Sequence, residues 1–93
     1  MKLEQTERER IIELLWAMNV CVQALNDENL CEVWWSYGVP NGCNNLDEVR
    51  EMYWSSEEDD EDLVQESEEI FLLFARIMRT ATAIAKLRTV FCI

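Results

Sequence analysis

The sequence predicts an all-α single domain, a compact bundle of about four helices with a long C-terminal helix, and three observations carry that expectation. Only two glycines and one proline occur among 93 residues, too little turn chemistry for a fold of many strands. Apolar residues recur at helical spacing through the segments between them. Hydrophobic residues make up 49% of the chain, enough for one core in a single domain of this length. A chain this short buries a modest fraction of its surface, so self-association into a homodimer would add to its stability.

The first helix is expected over residues 7–25 with Thr6 as its cap. Ile11, Leu14, Leu15, Met18, Val22 and Leu25 then share one side, Cys21 lies at the edge of that stripe, and Trp16 and Val20 point away from it. Asn26 and Asp27 break the pattern, and one or the other caps a shorter helix over residues 28–37, which Gly38 and Pro40 end. The rival reading of that segment is a strand, because Val33, Trp34, Trp35 and Tyr37 favour strands and Asn41-Gly42 is a hairpin signal. The residues after the turn, 43–48, make a poor partner strand, so the helix is preferred.

The third helix has a capping-box start, Asn45 followed by Glu48. Leu46, Val49, Met52 and Tyr53 form its apolar side, and it should end near Trp54 or Ser55. In residues 57–69, nine of thirteen positions are acidic. The start of this run, about residues 55–62, reads as a solvated linker leading into the start of the last helix, because six consecutive like charges repel, with Ser56 or Asp60 capping that helix. That long helix is expected from 62 to 89, with Ile70, Phe71, Phe74, Ile77, Met78, Ala81, Ile84 and Ala85 on an apolar arc. Arg76, Arg79 and Lys86 lie opposite, while Arg88 falls within the arc and must snorkel, pair or mark a frayed end. Helix 1 and the last helix are the expected main packing pair, with the two short helices covering one side.

Charge bounds the function. The chain has 19 acidic and 8 basic residues, a formal net charge of −11. Residues 1–69 hold 19 acidic and 4 basic residues, net −15, whereas residues 70–93 hold 4 basic and no acidic residue, net +4. Binding of bare nucleic acid rests on phosphate neutralisation by Lys and Arg, and anionic membrane surfaces attract basic segments, so both are disfavoured as partners. A protein with a basic surface fits better. No secretory signal and no transmembrane span is visible: the apolar region 70–93 is interrupted by Arg76, Arg79, Lys86 and Arg88. Cys21, Cys31, Cys43 and Cys92 form no C-x-x-C pair, and the expectation is reduced thiols in the cytoplasm. Cys92 is the thiol most able to form an intermolecular disulfide on oxidation.

Ordinary catalytic equipment is missing. Histidine is absent, which removes the commonest general base and the Ser-His and Cys-His nucleophile pairs. No phosphate-cradling glycine loop occurs, the cysteine spacing matches no zinc pattern, and the acidic run lacks the glycine and ligand order of a calcium loop. The expectation is therefore no enzyme, no cofactor and no metal.

The candidate partner-binding residues are the acidic run Glu57, Glu58, Asp59, Asp60, Glu61 and Asp62 together with Trp34, Trp35 and Trp16. Neighbours on a helix are about 100° apart, so Trp34 and Trp35 cannot both face one core centre, and at least one belongs at an edge or interface. Carboxylates that stand where phosphates would sit suit an inhibitor occupying the basic groove of a nucleic-acid-processing enzyme, and neutralising residues 57–62 should then abolish binding. In size and charge the chain resembles small phage and mobile-element inhibitors of the anti-CRISPR and anti-restriction type. The alternatives are a self-assembling helical protein, motivated by the wide apolar arc of the last helix, and an antitoxin-like adaptor that folds against one cognate partner.

Overall fold

The computed structural model describes residues 4–36, 43–54 and 60–91, without the side chains of 53, 54 and 60. Among them are four helices and no strand: α1 (Gln5–Ala24), α2 (Glu28–Ser36), α3 (Leu46–Trp54) and α4 (Asp60–Phe91). The all-α class and the long C-terminal helix are as the sequence predicts. Gly38, Pro40, the Asn41-Gly42 turn, Ser55, Ser56 and Cys92 lie outside the described residues.

α1 starts earlier than its capping pattern suggests. Its N-cap is Glu4, which makes no side-chain capping bond, and Thr6 already sits inside the first turn. The helix closes through Leu25 and Asn26, whose N–H groups donate to the carbonyls of Val22 and Gln23 at 3.2 and 3.1 Å. Asn26 adopts a φ of 53°, the left-handed conformation that Asn tolerates better than other residues with a Cβ. Asp27 then caps α2: its Oδ1 accepts the Leu30 N–H at 3.1 Å. α3 has the reciprocal cap in slightly shifted form. Asn45 Oδ1 accepts the Glu48 N–H at 2.9 Å, and the Glu48 carboxylate reaches back to the N–H of Asn44 at 2.7 Å. α4 begins at Asp60, so Asp60, Glu61 and Asp62 belong to its first turn and not to a linker. Negative charge is favourable there because the first N–H groups of a helix are unpaired and its N-terminus is the positive end of the dipole.

The expected pairing of α1 with α4 is only part of the arrangement. α1 is the hub: it packs against α3, α4 and α2, and α2 also packs on α4. Its buried line is therefore rotated from the predicted stripe. Ile12, Leu15, Met18, Asn19 and Val22 are buried, whereas Leu14 is 48% exposed. Trp16, expected to point away, packs partly buried against the core. A helix flanked on three sides hides a wide arc, and a polar residue inside that arc misleads a count of apolar positions.

On α4 the buried line is Leu63, Ser67, Ile70, Leu73 and Ile77. It includes Leu63 and Leu73, which the predicted arc omits, and excludes Ala85, which is exposed. Ser67 is tolerated in it because its hydroxyl donates to the Leu63 carbonyl at 2.6 Å. Trp34 and Val49, both fully buried, bring α2 and α3 into the same core. Burial of each such large side chain is worth roughly 1.5–3 kcal/mol.

Past Ile77 no described side chain of α4 is buried, and from Ala85 to Phe91 all are exposed. The described residues span 52 × 25 × 21 Å with a radius of gyration of 15.1 Å, against about 12 Å for a compact domain of this length. A helix of 32 residues is about 48 Å long at 1.5 Å per residue, so α4 alone sets the long dimension. Its last two turns, from Ala85 to Phe91, overhang the bundle. Arg88 lies in line with the buried face, yet no core reaches it, so it needs neither snorkelling nor a buried partner.

Candidate functional site

The tight α1–α2 corner creates the clearest site. Left-handed Asn26 reverses the chain within three residues, and the Asp27 cap starts α2 at once. The result is an open cleft of about 420 Å³ lined by Gln23, Asn26, Asp27, Glu28, Cys31 and Trp35. Trp35 is 39% exposed. Its neighbour Trp34 is fully buried, as adjacent positions on a helix require when one faces inward.

Trp34 is thereby withdrawn from the candidate partner-binding set. Its indole Nε1 donates to Asn19 Oδ1 at 3.0 Å, and its ring meets Phe74 edge-on, with centroids 6.2 Å apart and an interplanar angle of 66°. It ties α2 to α1 and α4 and offers nothing to a partner. Trp16 is likewise turned partly into the core. Among the tryptophans singled out, Trp35 carries the exposed aromatic surface.

The cleft suits a cation. Asp27 and Glu28 supply negative charge, and an indole face attracts a guanidinium or ammonium group placed over it. Glu32, exposed one turn before Trp35, extends the acidic edge. Cys31 is buried at the cleft, its Sγ directed to the Val22 carbonyl at 3.7 Å. Burial first, and the Asp27 charge second, push its thiol above the usual range, so it stays a protonated, unreactive thiol. Burial and the Glu48 charge raise Cys43 in the same direction. Cys21, Cys31 and Cys43 are free thiols, and Cys21 is exposed.

Of the acidic run, Glu61 and Asp62 are not among the residues that line this cleft. Glu57, Glu58 and Asp59 lie outside the described residues, as does the Asp60 side chain; Glu61 and Asp62 are exposed on the first turn of α4. α2 meets α4 where Leu30 and Val33 share a groove with Leu73, Arg76, Ile77 and Thr80. Glu61 is twelve residues before Leu73, about 18 Å away along the helix. Glu61 and Asp62 are therefore not part of the lining that Trp35 shares with Asp27 and Glu28.

Among the described residues, no group of three or more His, Cys, Asp or Glu side chains could hold a metal ion, and no helix is long and apolar enough to cross a membrane. Glu9 and Arg50 form an ion pair that joins α1 to α3: Arg50 Nε donates to Glu9 Oε1 at 2.8 Å and Oε2 at 3.1 Å, and Nη1 to Asp47 Oδ1 at 2.6 Å. The hydrogen bond from Arg50 holds the Glu9 carboxyl below the ordinary range, opposite to what a general acid needs.

Sequence reasoning missed Asn19. Its side chain is buried and its Oδ1 also accepts a bond from Gln23 Nε2 at 3.4 Å, while its Nδ2 has no partner among the described residues. The signal available was its position: Ile12, Leu15, Asn19 and Val22 fall at helical spacing, and the polar member of that series is the one that needs a buried donor opposite it. Compared with protein-family models, with curated proteins and with solved structures, the chain has no match.

Proposed function

We propose that this protein is an acidic protein-binding module that occupies a basic surface, most specifically that of a nucleic-acid-processing enzyme, and inhibits it by standing where the phosphates would lie. The observation that supports this reading is the α1–α2 corner, where exposed Trp35 stands beside Asp27, Glu28 and Glu32 on a body with a net charge of −15 over residues 1–69. Such a surface takes an Arg or Lys side chain between indole and carboxylate, and the wider negative field steers a basic partner toward it. Carboxylates on a rigid helical corner imitate the charge of a phosphate backbone without its chemistry. The anti-CRISPR and anti-restriction type of inhibitor is the form of this function that size and charge favour.

The test is capture of basic nucleic-acid enzymes on the immobilised protein at low salt, followed by an activity assay of each captured enzyme with the soluble protein added. Trp35→Ala, and separately Glu28→Gln with Glu32→Gln, should each weaken inhibition tenfold or more, about 1.4 kcal/mol. Binding that persists unchanged in these variants, or at ~1 M salt, would exclude this surface as the contact.

A further inference from the structure

α4 has a second face that the bundle does not use. Opposite the buried line of Leu63, Ile70 and Ile77 stand Glu61, Glu68, Leu72, Arg79 and Lys86, given the 100° step of a helix, with Glu69 and Arg76 at the edge of this face, where Arg76 also lines the groove between α2 and α4. All seven are exposed, and Leu72 is 68% exposed, well above most apolar side chains of the molecule. The order of charge along this face is strict: acidic before Leu72, basic after it. No acidic residue follows Glu69 in the chain, and no basic residue lies between Arg50 and Arg76.

These charges cannot satisfy one another within their own helix. Ion pairs on a helix form at spacings of three or four residues. The closest opposite charges on this face, Glu69 and Arg76, are seven residues apart, about 10 Å of rise. A second helix of the same sequence, laid antiparallel, brings them together. Glu61 with Lys86, and Glu68 with Arg79, share one midpoint between residues 73 and 74, and Glu69 falls within one turn of Arg76 about that same midpoint. Leu72 then meets Ala75 of the second copy across the axis. A parallel arrangement instead sets like charge on like charge.

We propose that the outward face of α4 is a self-recognition surface on which a second copy of this chain lies antiparallel, related by a two-fold axis near residues 73 and 74. The contact is isologous, so each copy supplies both the acidic and the basic half and the assembly closes at two. The overhanging basic turns of each α4 then lie along the acidic start of the other, which gives the end of the helix the neighbour that its own bundle lacks. This assembly does not depend on the corner cleft or on the function proposed for it.

The experiment is sedimentation equilibrium of the full chain with reductant, over a roughly hundredfold range of concentration. The expected result is a reversible shift from the 11.0 kDa chain to twice that mass, weakened at least tenfold at ~1 M salt. Two charge-reversed chains test the pairing: Arg79→Glu with Lys86→Glu, and Glu61→Lys with Glu68→Lys. Each alone should lose tenfold or more in self-affinity, and an equimolar mixture should recover a dimer, because both sets of contacts are restored in the mixed pair. All four positions are exposed, and circular dichroism of each variant checks that its helices remain. A chain that stays monomeric throughout at low salt, or a dimer indifferent to both reversals, would overturn the proposal, as would a mixture that stays monomeric.

Discussion

Asn19 shows how much a single buried polar group decides. Indole Nε1 can only donate, so Asn19 must present Oδ1 to Trp34, which leaves its own Nδ2 without a partner among the described residues. Replacing Asn19 by Leu strands the Trp34 N–H in the core and should cost about 2 kcal/mol in urea unfolding. Replacing Trp34 by Phe in the same chain removes the stranded donor, so the two substitutions should be coupled by about 1 kcal/mol or more in a double-mutant cycle. Additive losses would mean that the bond carries no weight. Glu9 makes a different prediction. Its carboxyl is held below the ordinary value of 4.5 by Arg50, so the folded state binds its proton less readily than the unfolded chain. The stability it contributes is complete above about pH 4.5 and is lost as pH falls through the folded value. Stability measured from neutral pH into acid should therefore fall less steeply in Glu9→Gln than in the parent; equal slopes would show that the pair contributes nothing.

At the level of elements, the caps explain where helices begin and the core explains which face they bury. α3 has nine residues, too few to be helical alone in water, so its cap and its packing on α1 must act together. Asn45→Ala removes the acceptor for the Glu48 N–H and should destabilise the protein by about 1 kcal/mol, read as a lower urea midpoint with an unchanged slope. A loss near zero would place the whole burden on Val49, which is fully buried. α4 obeys the other rule. Leu63, Ile70, Ile77, Ile84 and Phe91 recur every seven residues, so one apolar line runs its full length, yet only the first three are buried. Periodicity reports that a face is apolar; the extent of the neighbouring helices decides how much of it is covered.

The whole molecule is a hub-and-overhang arrangement with opposite charge at its two ends. A net charge of −11 means that the compact body repels itself, an effect that salt screens within about 10 Å at 0.1 M. At high dilution, where copies do not meet, raising salt from very low to ~0.2 M should raise the urea midpoint. A falling midpoint would show that local pairs such as Glu9–Arg50 outweigh the general repulsion. The same uneven charge underlies both proposed surfaces: the acidic α1–α2 corner addresses a foreign basic surface, and the dipolar face of α4 addresses a second copy.

Sequence alone determined the helical class, the cap at Asn45 and Glu48, the break at Asn26–Asp27 and the separation of charge, because each is local: it depends on neighbours within one helical turn or on a simple count. It also required that Trp34 and Trp35 diverge, since the helical step forbids a shared direction. Which of them turned inward was decided by tertiary structure, through the acceptor that Asn19 holds across the α1–α2 interface. Tertiary structure likewise turned the buried face of α1 toward Ile12 and Asn19, because that helix packs against three others and no single stripe can serve them all. Of the acidic run proposed to act with Trp35, the described side chains, Glu61 and Asp62, are exposed on the first turn of α4 and do not line the cleft that holds Trp35. Residue chemistry named the kinds of contact available to this chain; packing between the helices decided which side chains stay exposed to make them.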